Sequence, residues 1–327
     1  MSEPKTANNL LAEVERLAAL REPPVRKQHV VSRVLLKQFA ERHPRHGLYL
    51  LSIDLDHPER APARKGPGGC GFEEDFVAFA SQSLEHVWGG TEEKLPEVFN
   101  ALANGIDSPD YVSTQILLDT LSLHLVRSHT YRDVHFRTFT KPYALIFNLL
   151  VNDMQGQLHA AVLREKGLHV VGREGLEHYA RELLQHAVDL FESHGMLRVR
   201  MEQVYRQVRD LIADSDVRIL TPPPGHEFLI GDVPCFTLRF EPDSVRPNVA
   251  VAEAATVVMP LGRHHAVALA RPDTDAIVFE SLAAQLNDLQ VQQARSKVYM
   301  HPGSGLDDYA RQRAASVRAT TRGPASC

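Results

Sequence analysis

The residues best suited to do chemistry lie in a short segment near the start of the chain. His29 and Arg33 flank Ser32, a predicted N-cap, at the start of a predicted amphipathic helix that continues through Leu35. The first turn of a helix has free N–H groups and a positive dipole end, so it attracts anions and keeps a nearby imidazole neutral. A neutral His29 can act as a general base or a metal ligand. Arg33 can bind a phosphate or carboxylate.

Both residues also have a structural interpretation. His29 can be a partly buried histidine that is hydrogen-bonded to the backbone. Arg33 can form a buried ion pair with a carboxylate such as Asp232 or Glu85. The sequence leaves these alternatives open.

His124 and Arg127 form a second candidate pair, because residues three apart share one face of a helix. That face could line a cleft and bind an anionic substrate. The segment 127–137 carries three arginines and two histidines. The alternative is an ordinary solvated helical face.

Asp232 follows a predicted strand, in a turn formed by Gly231 and Pro234. Carboxylates at strand ends often face clefts, so we predict that Asp232 orients His29 or holds a cation. The alternative is an Asx-turn, in which the carboxylate accepts hydrogen bonds from its own backbone.

A metal site is a further option that the sequence supports only weakly. Glu85 and Glu92 are seven residues apart and share a helix face. With His29 and Asp232 they would offer oxygen and nitrogen ligands for a hard metal. No compact motif such as HExxH supports this site, and we predict no metal and no cofactor.

The elements that must position these residues are helices in the middle of the chain and strands in its C-terminal third. The predicted helices cover 10–20, 76–102 with an interruption at 89–90, a segment capped by Ser108 that ends near Arg137, 142–154, 174–192, 196–212 and 281–295. The predicted strands cover 47–53, 217–220, 227–230, 235–240, 256–259, 265–269, 276–279 and 297–299, and 57–71 is a predicted loop.

Segregated helices and strands indicate an α+β fold. We expect a helical middle region and an antiparallel or mixed sheet formed mainly by the C-terminal third plus one N-terminal strand.

The domain organisation follows from the same pattern. Residues 1–26 are predicted to be an N-terminal helix and linker, 27–300 a single α+β domain, and 301–327 a disordered, arginine-rich tail. A chain of 327 residues is long enough for such a core.

Composition excludes several classes of protein. The net charge is −5, so the overall charge gives no indication of a nucleic-acid partner. Three cysteines without a CxxC pair argue against a disulfide framework and a zinc–cysteine site. No apolar stretch is long enough to span a membrane and no signal peptide is visible, so we expect a cytoplasmic protein.

The segment His29–Phe39 resembles the pattern H-[YF]-V-P-[RQ]-x-x-L-x-x-F, with departures at Val30 and Ser32. This pattern opens members of the bacterial family known as domain of unknown function 4238. Further resemblances follow in the same order along the chain: Ser83-Leu84-Glu85 with Glu93, Leu123 to Arg127 with His124 at the position of a glutamine, Phe228 to Pro234, Met259 to Leu261, and Leu286-Asn287 with Ala294 and Val298-Tyr299. The resemblance spans about 27–300. It implies architecture, and because the family has no assigned reaction it implies no activity.

Two hypotheses about function remain. In the first, the chain is a hydrolase that acts on a phosphodiester or another anionic substrate, with nucleic acid or a nucleotide as a candidate partner. His29 is then the general base, Asp232 orients it, and Arg33, His124 and Arg127 bind the anionic substrate. In the second, the chain is a binding or regulatory module in which the same residues are structural. Protein partners are left open.

Overall fold

The computed structural model describes residues 12–13, 16–17, 19–20, 22, 25–45, 47–77, 81–106, 108–192, 195–241, 244–271 and 276–321. Residues 12–13, 16–17 and 19 are helical, and the rest of the helix predicted over 10–20 lies outside the described residues or, at residue 20, in a turn. No helix among the described residues is long and apolar enough to cross a membrane.

Strands and helices occur in the following order along the described chain. The strands are β1 Lys27–His29, β2 Glu41–His43, β3 Gly47–Asp54, β4 Ala63–Lys65, β5 Phe72–Glu74, β6 Asp216–Leu220, β7 Ile230–Gly231, β8 Phe236–Glu241, β9 Ser244–Pro247, β10 Thr256–Pro260, β11 Ala266–Ala270 and β12 Lys297–Met300. The α-helices are α1 Arg33–Lys37, α2 Ser81–Glu92, α3 Leu95–Ala103, α4 Tyr111–Val126, α5 His129–Asn148, α6 Gln155–Lys166, α7 Gly172–Glu192, α8 Gly195–Leu211, α9 Ala276–Gln293 and α10 Asp307–Thr321.

The chain divides into two compact units. The smaller comprises the described residues within Met1–Pro24, Val77–Gln82 and Tyr131–Glu202, and the larger comprises those within Val25–Phe76, Ser83–Thr130 and Gln203–Cys327. The single domain over 27–300 stays a prediction.

The larger unit contains the sheets and confirms the α+β class. One sheet has the strand order β6-β11-β10-β8-β9, and every strand in it comes from the C-terminal third. The second sheet has the order β2-β3-β12-β7, with β4 paired to β3, and β1 and β5 form a separate two-stranded ribbon. All these pairs are antiparallel. As expected, N-terminal strand β3 joins the C-terminal strand β12.

Each sheet buries one face against helices. The first packs against α3 and α4 through a cluster that includes Leu95, Leu117, Val257 and Val267. The second packs against α9 and α10 through a cluster that includes Val291, Val298 and Ala310. Burial of this apolar surface stabilises the unit.

The smaller unit is helical. It includes α6 and α7, and its core consists of small and branched side chains around Val151, Leu158, Val162 and Ala180. The helical middle region predicted from the sequence is therefore present, although α6 was not predicted.

Several helix boundaries differ from the prediction, and the helix predicted to end near Arg137 is divided into α4 and α5. Helix α2 continues through the glycines at 89–90 and ends at Glu92, because Pro96 then opens α3 near its N-terminus, where a missing N–H costs little. Asp110 caps α4 in place of Ser108, since its Oδ1 accepts the Ser113 N–H at 2.7 Å. Pro142 lies inside α5 instead of starting a helix.

Other segments have a different secondary structure from the one predicted. The predicted strand 276–279 is the start of helix α9, because a short apolar run fits either structure. Most of the tail predicted to be disordered forms α10, which packs through Ala310 and Ala314 and pairs Arg313 with Asp288. The predicted loop 57–71 contains β4 and a 3-10 turn.

Candidate functional site

Ser32 connects three elements of the larger unit. It caps α1, because its hydroxyl accepts the Val34 N–H at 3.3 Å, as the sequence predicted. Its backbone N–H donates to His124 Nε2 on α4 at 3.3 Å. Its hydroxyl is also hydrogen-bonded to the Glu92 carboxylate on α2. Ser32 is fully buried, so these partners replace the water that its polar atoms lose.

The bonds of His124 define its protonation state. Its Nδ1 lies 2.9 Å from the Thr120 carbonyl, which can only accept, so Nδ1 carries the proton. Its Nε2 accepts the Ser32 N–H and therefore carries none. Burial and the charge of Arg127 lower the pKa of His124 to about 4. The imidazole is thus neutral and saturated, which leaves it no free atom for the substrate that the sequence predicted it would bind.

Arg127 is the buried cation of the site. Its side chain is 1% exposed, and its Nη2 donates to Glu92 Oε1 at 2.5 Å. The guanidinium also lies 5.0 Å from the centre of the Trp88 ring, a distance suited to a cation–π interaction. Burial would raise the pKa of Glu92, but Arg127, His124 and the hydrogen bonds lower it overall. Arg127 is therefore engaged by the protein itself instead of being an exposed clamp for substrate.

His29 and Glu85 lie around the ion pair of Arg127 and Glu92, but their hydrogen-bonding atoms are not all paired. Within the described part of the chain, His29 Nε2 and Glu85 Oε1 are buried atoms without a hydrogen-bond partner. Burial, then the charges of Arg127 and Arg33, lower the pKa of His29 to about 4. Burial raises the pKa of Glu85 to about 7, with Glu92 adding to the rise and Arg127 opposing it. We call His29, Ser32, Glu85, Glu92, His124 and Arg127 the Arg127 cluster.

Local sequence explains how the cluster is assembled. Glu85, Trp88 and Glu92 follow at intervals of three and four residues on α2, so all three occupy one face. His124 and Arg127 are one turn apart at the end of α4, where a cation is favoured by the helix dipole.

The turn between β1 and α1 depends on Gly71. The N–H groups of Val30 and Val31 both donate to the Gly71 carbonyl, at 2.8 and 3.0 Å. Gly71 has φ +64°, and a Cβ at this position would lie 2.8 Å from the Val31 Cβ. Only glycine fits, and this contact fixes His29 at the end of β1.

Arg33 is exposed and makes neither of the ion pairs considered for it. Its guanidinium lies over Gly68, where an added Cβ would be 3.5 Å from Nη2. It is close enough to His29 to affect its pKa. Arg33 is therefore a solvent-accessible cation beside His29.

Asp232 has a separate set of partners. Its Oδ1 accepts the Arg295 N–H at 2.7 Å, and its Oδ2 accepts the N–H groups of Ser296 and Lys297 at 2.9 and 3.0 Å. The Ser296 hydroxyl donates to Oδ2 at 2.8 Å. No hydrogen bond links Asp232 to His29 among the described residues. The carboxylate ties the end of β7 to the start of β12, instead of capping its own turn or orienting His29.

The described ranges contain no group of three or more His, Cys, Asp or Glu side chains that could hold a metal ion. The metal site considered for Glu85, His29 and Asp232 therefore has no common ligand set in these residues.

Sequence reasoning considered Glu85 as a metal ligand or a partner of Arg33, considered Glu92 only as a metal ligand, and did not select Trp88. The signal was available, because the spacing of 85, 88 and 92 puts a carboxylate, an aromatic ring and a second carboxylate on one helix face. Their partner on α4 could not be identified from spacing.

A family model described as "Protein of unknown function (DUF4238)" matches residues 27–304, which is most of the chain. The chain belongs to this family. The resemblance seen in the sequence is thereby confirmed, and the match covers every residue of the Arg127 cluster. No curated protein and no solved structure shows a significant match to the chain. The family description assigns no reaction, so the function must be inferred from the site.

Proposed function

We propose that the chain is a hydrolase that cleaves phosphodiester bonds of nucleic acid or another anionic substrate, with His29 and Glu85 as its reacting groups. One observation carries this proposal: among the described residues, both side chains have a buried atom without a hydrogen-bond partner, and both lie beside the ion pair of Arg127 and Glu92, in which Arg127 Nε also has no partner. An unpaired buried polar atom costs about 1–3 kcal/mol, so retaining three of them in one cluster favours a functional role.

The two groups suit opposite halves of an acid–base reaction. At pH 6, His29 is neutral and Glu85 is largely protonated, given pKa values of about 4 and about 7. His29 Nε2 would take a proton from water as its oxygen bonds to phosphorus. Glu85 would give its proton to the leaving oxygen as the bond between phosphorus and that oxygen breaks. Exchange with solvent then restores both groups.

The two arginines would act differently. Arg33 is exposed and can meet the substrate anion directly. Arg127 is buried and would act through its field, which opposes protonation of His29. Glu92 and His124 would hold Arg127 in position, because one pairs with it and the other lies 3.4 Å from its Nη2.

The test is hydrolysis of bis(p-nitrophenyl) phosphate and of single-stranded RNA and DNA by the purified full-length chain. We expect His29→Ala and Glu85→Gln each to lower kcat by about 100-fold or more, since general acid–base groups contribute factors of this size. His86→Ala and Glu93→Gln are matched controls, because both residues are exposed and lie on or next to α2. Equal activity of His29→Ala and the wild type would refute the assignment.

The pH dependence provides an independent check. The base must be deprotonated, which holds above a pKa of about 4, and the acid must be protonated, which holds below about 7. Activity should therefore be highest between these values and fall with rising pH above 7. An activity that keeps increasing through pH 9 would contradict Glu85 as the acid.

A second candidate function is a non-catalytic binding or regulatory module. It is favoured by the buried positions of His124, Arg127 and Asp232 and by their bonds within the protein, although Arg127 Nε has no partner among the described residues. In that case Arg127→Ala and Asp232→Ala would lower Tm strongly, and no substrate would be cleaved. His29→Ala and Glu85→Gln would then change stability alone.

A further inference from the structure

A polar cavity of about 170 Å³ lies in the larger unit. Its wall includes side chains from the second sheet and the glycine-rich segment that follows β4. None of the six members of the Arg127 cluster lines it. The cavity is therefore distinct from the Arg127 cluster, although Asp232 and its partners Ser296 and Lys297 lie in its wall.

Strand register places the key side chains on one face of that sheet. Ser52 on β3 pairs directly with Tyr299 on β12, and Lys297 lies two residues before Tyr299. Lys65 on β4 pairs with Leu50, two residues before Ser52. Because side chains alternate along a strand, these positions point to the same side. All four of these polar residues line the cavity: Lys65, Ser52, Lys297 and Tyr299.

Hydrogen-bond donors dominate this wall. No carboxylate among the described residues is within salt-bridge distance of the Lys65 or Lys297 ammonium group. Tyr299, only 2% exposed, accepts the Gly71 N–H at 3.0 Å through its hydroxyl oxygen. Its own O–H proton has no acceptor in the described protein. Burial raises the pKa of Tyr299, so the phenol stays protonated and can donate.

The two carboxylates of the wall do not oppose an anion strongly. Asp232 accepts three backbone N–H groups and the Ser296 hydroxyl. Glu73 pairs with His129 Nε2 at 3.0 Å. Both negative charges are thus already compensated by donors, whereas the two ammonium groups are not.

We propose that this cavity binds a phosphate group, which Lys65 and Lys297 hold by charge and Tyr299 holds through its O–H. Pockets for drug-sized ligands begin at about 300 Å³. The cavity is smaller, so it holds a tetrahedral oxyanion and excludes a whole nucleotide. The occupant is either free phosphate or the terminal phosphate of a phosphomonoester. The site does not depend on the reaction proposed for His29 and Glu85.

Calorimetric titration of the full chain with inorganic phosphate, at constant ionic strength, tests the proposal. Lys65→Met and Lys297→Met should each weaken binding by about tenfold, as expected for loss of one charge-assisted hydrogen bond. Lys37→Met is the matched control, because Lys37 is also exposed and should leave binding unchanged. Lys65 is exposed on β4, so its replacement should preserve the fold, which thermal melting without phosphate checks.

Absence of binding at millimolar phosphate would overturn the proposal. So would equal affinities of the wild type, Lys65→Met and Lys297→Met. A dinucleotide with and without a 5′-phosphate then distinguishes the source. Tighter binding of the phosphorylated form identifies a terminal phosphate, and binding of inorganic phosphate alone identifies the free anion; both support the site.

Discussion

The Arg127 cluster and the Asp232 site are both buried polar centres in the larger unit, but they are built differently. Asp232 receives four donors from one short segment, and neither carboxylate oxygen lacks a partner. The Arg127 cluster joins three elements and still leaves His29 Nε2, Glu85 Oε1 and Arg127 Nε unpaired. A fully bonded centre serves the fold, whereas unpaired atoms that the fold could have satisfied favour a role in binding or catalysis.

The largest effect should come from removing the buried cation. Arg127→Met leaves Glu92 buried without its partner, so the free energy of unfolding should fall by about 3–5 kcal/mol. Urea denaturation measures this loss. Arg206→Met, at an exposed position, is the control. The double variant Arg127→Met/Glu92→Gln should recover part of the stability, and a purely additive loss would show that the pair is not coupled.

Asp232→Ala should be slightly less harmful. It leaves the N–H groups of Arg295, Ser296 and Lys297 without their acceptor, at an expected cost of about 3–4 kcal/mol. Activity per folded molecule should stay unchanged, because no hydrogen bond connects Asp232 with His29. Asp214→Ala, in an exposed turn, is the control for denaturation. Loss of kcat with normal stability would instead give Asp232 the catalytic role that its sequence position suggested.

His124 makes the free energy of unfolding depend on pH in the acidic range. Its pKa falls from 6.5 to about 4 in the folded state, so the folded protein resists protonation and loses stability as the pH falls from 6.5 towards 4. The loss amounts to about 3 kcal/mol. His124→Gln keeps a neutral donor and acceptor and should remove this component. His86→Gln should retain it, and identical acid profiles of His124→Gln and the wild type would rule out His124 as its source.

Glu85 should have the smallest effect on the free energy of unfolding, and its pH dependence should be opposite to that of His124. Its folded pKa of about 7 exceeds the ordinary 4.5, so its stability contribution is complete below pH 4.5 and is lost as the pH rises through 7. Glu85→Gln should therefore be more stable than the wild type at pH 8, by about 1–2 kcal/mol, because Glu85 is partly exposed and solvent screening reduces the value of about 3 kcal/mol that the pKa shift alone would give. Glu92→Gln should be less stable, because Glu92 is stabilised as a carboxylate. A destabilised Glu85→Gln would assign Glu85 to the fold.

Most features that depend on residues close in sequence were predicted correctly, and most features that depend on long-range contacts were not. The Ser32 cap and strand β3 were predicted because both depend on residues close in sequence. The run 276–279 was assigned to a strand because a short apolar run fits either a strand or a helix. The tail 301–327 was assigned to disorder because its helix α10 packs against residues that are distant in sequence. Asp232 was selected from its position after a predicted strand, but its partners, 63 to 65 residues away, could not be inferred.

The sequence by itself determined the α+β class and the family, and it predicted a candidate site at the start of α1. Helical and strand periodicity are local, and the motif residues are contiguous, so both could be recognised without a structure. Only the tertiary structure decided which polar side chains are satisfied. That property depends on atoms brought together from β1, α2 and α4. It separates His124 and Asp232, whose polar atoms are bonded within the protein, from His29 and Glu85, which retain unpartnered atoms. Arg127 lies between the two groups, because its Nη2 is paired and its Nε is not.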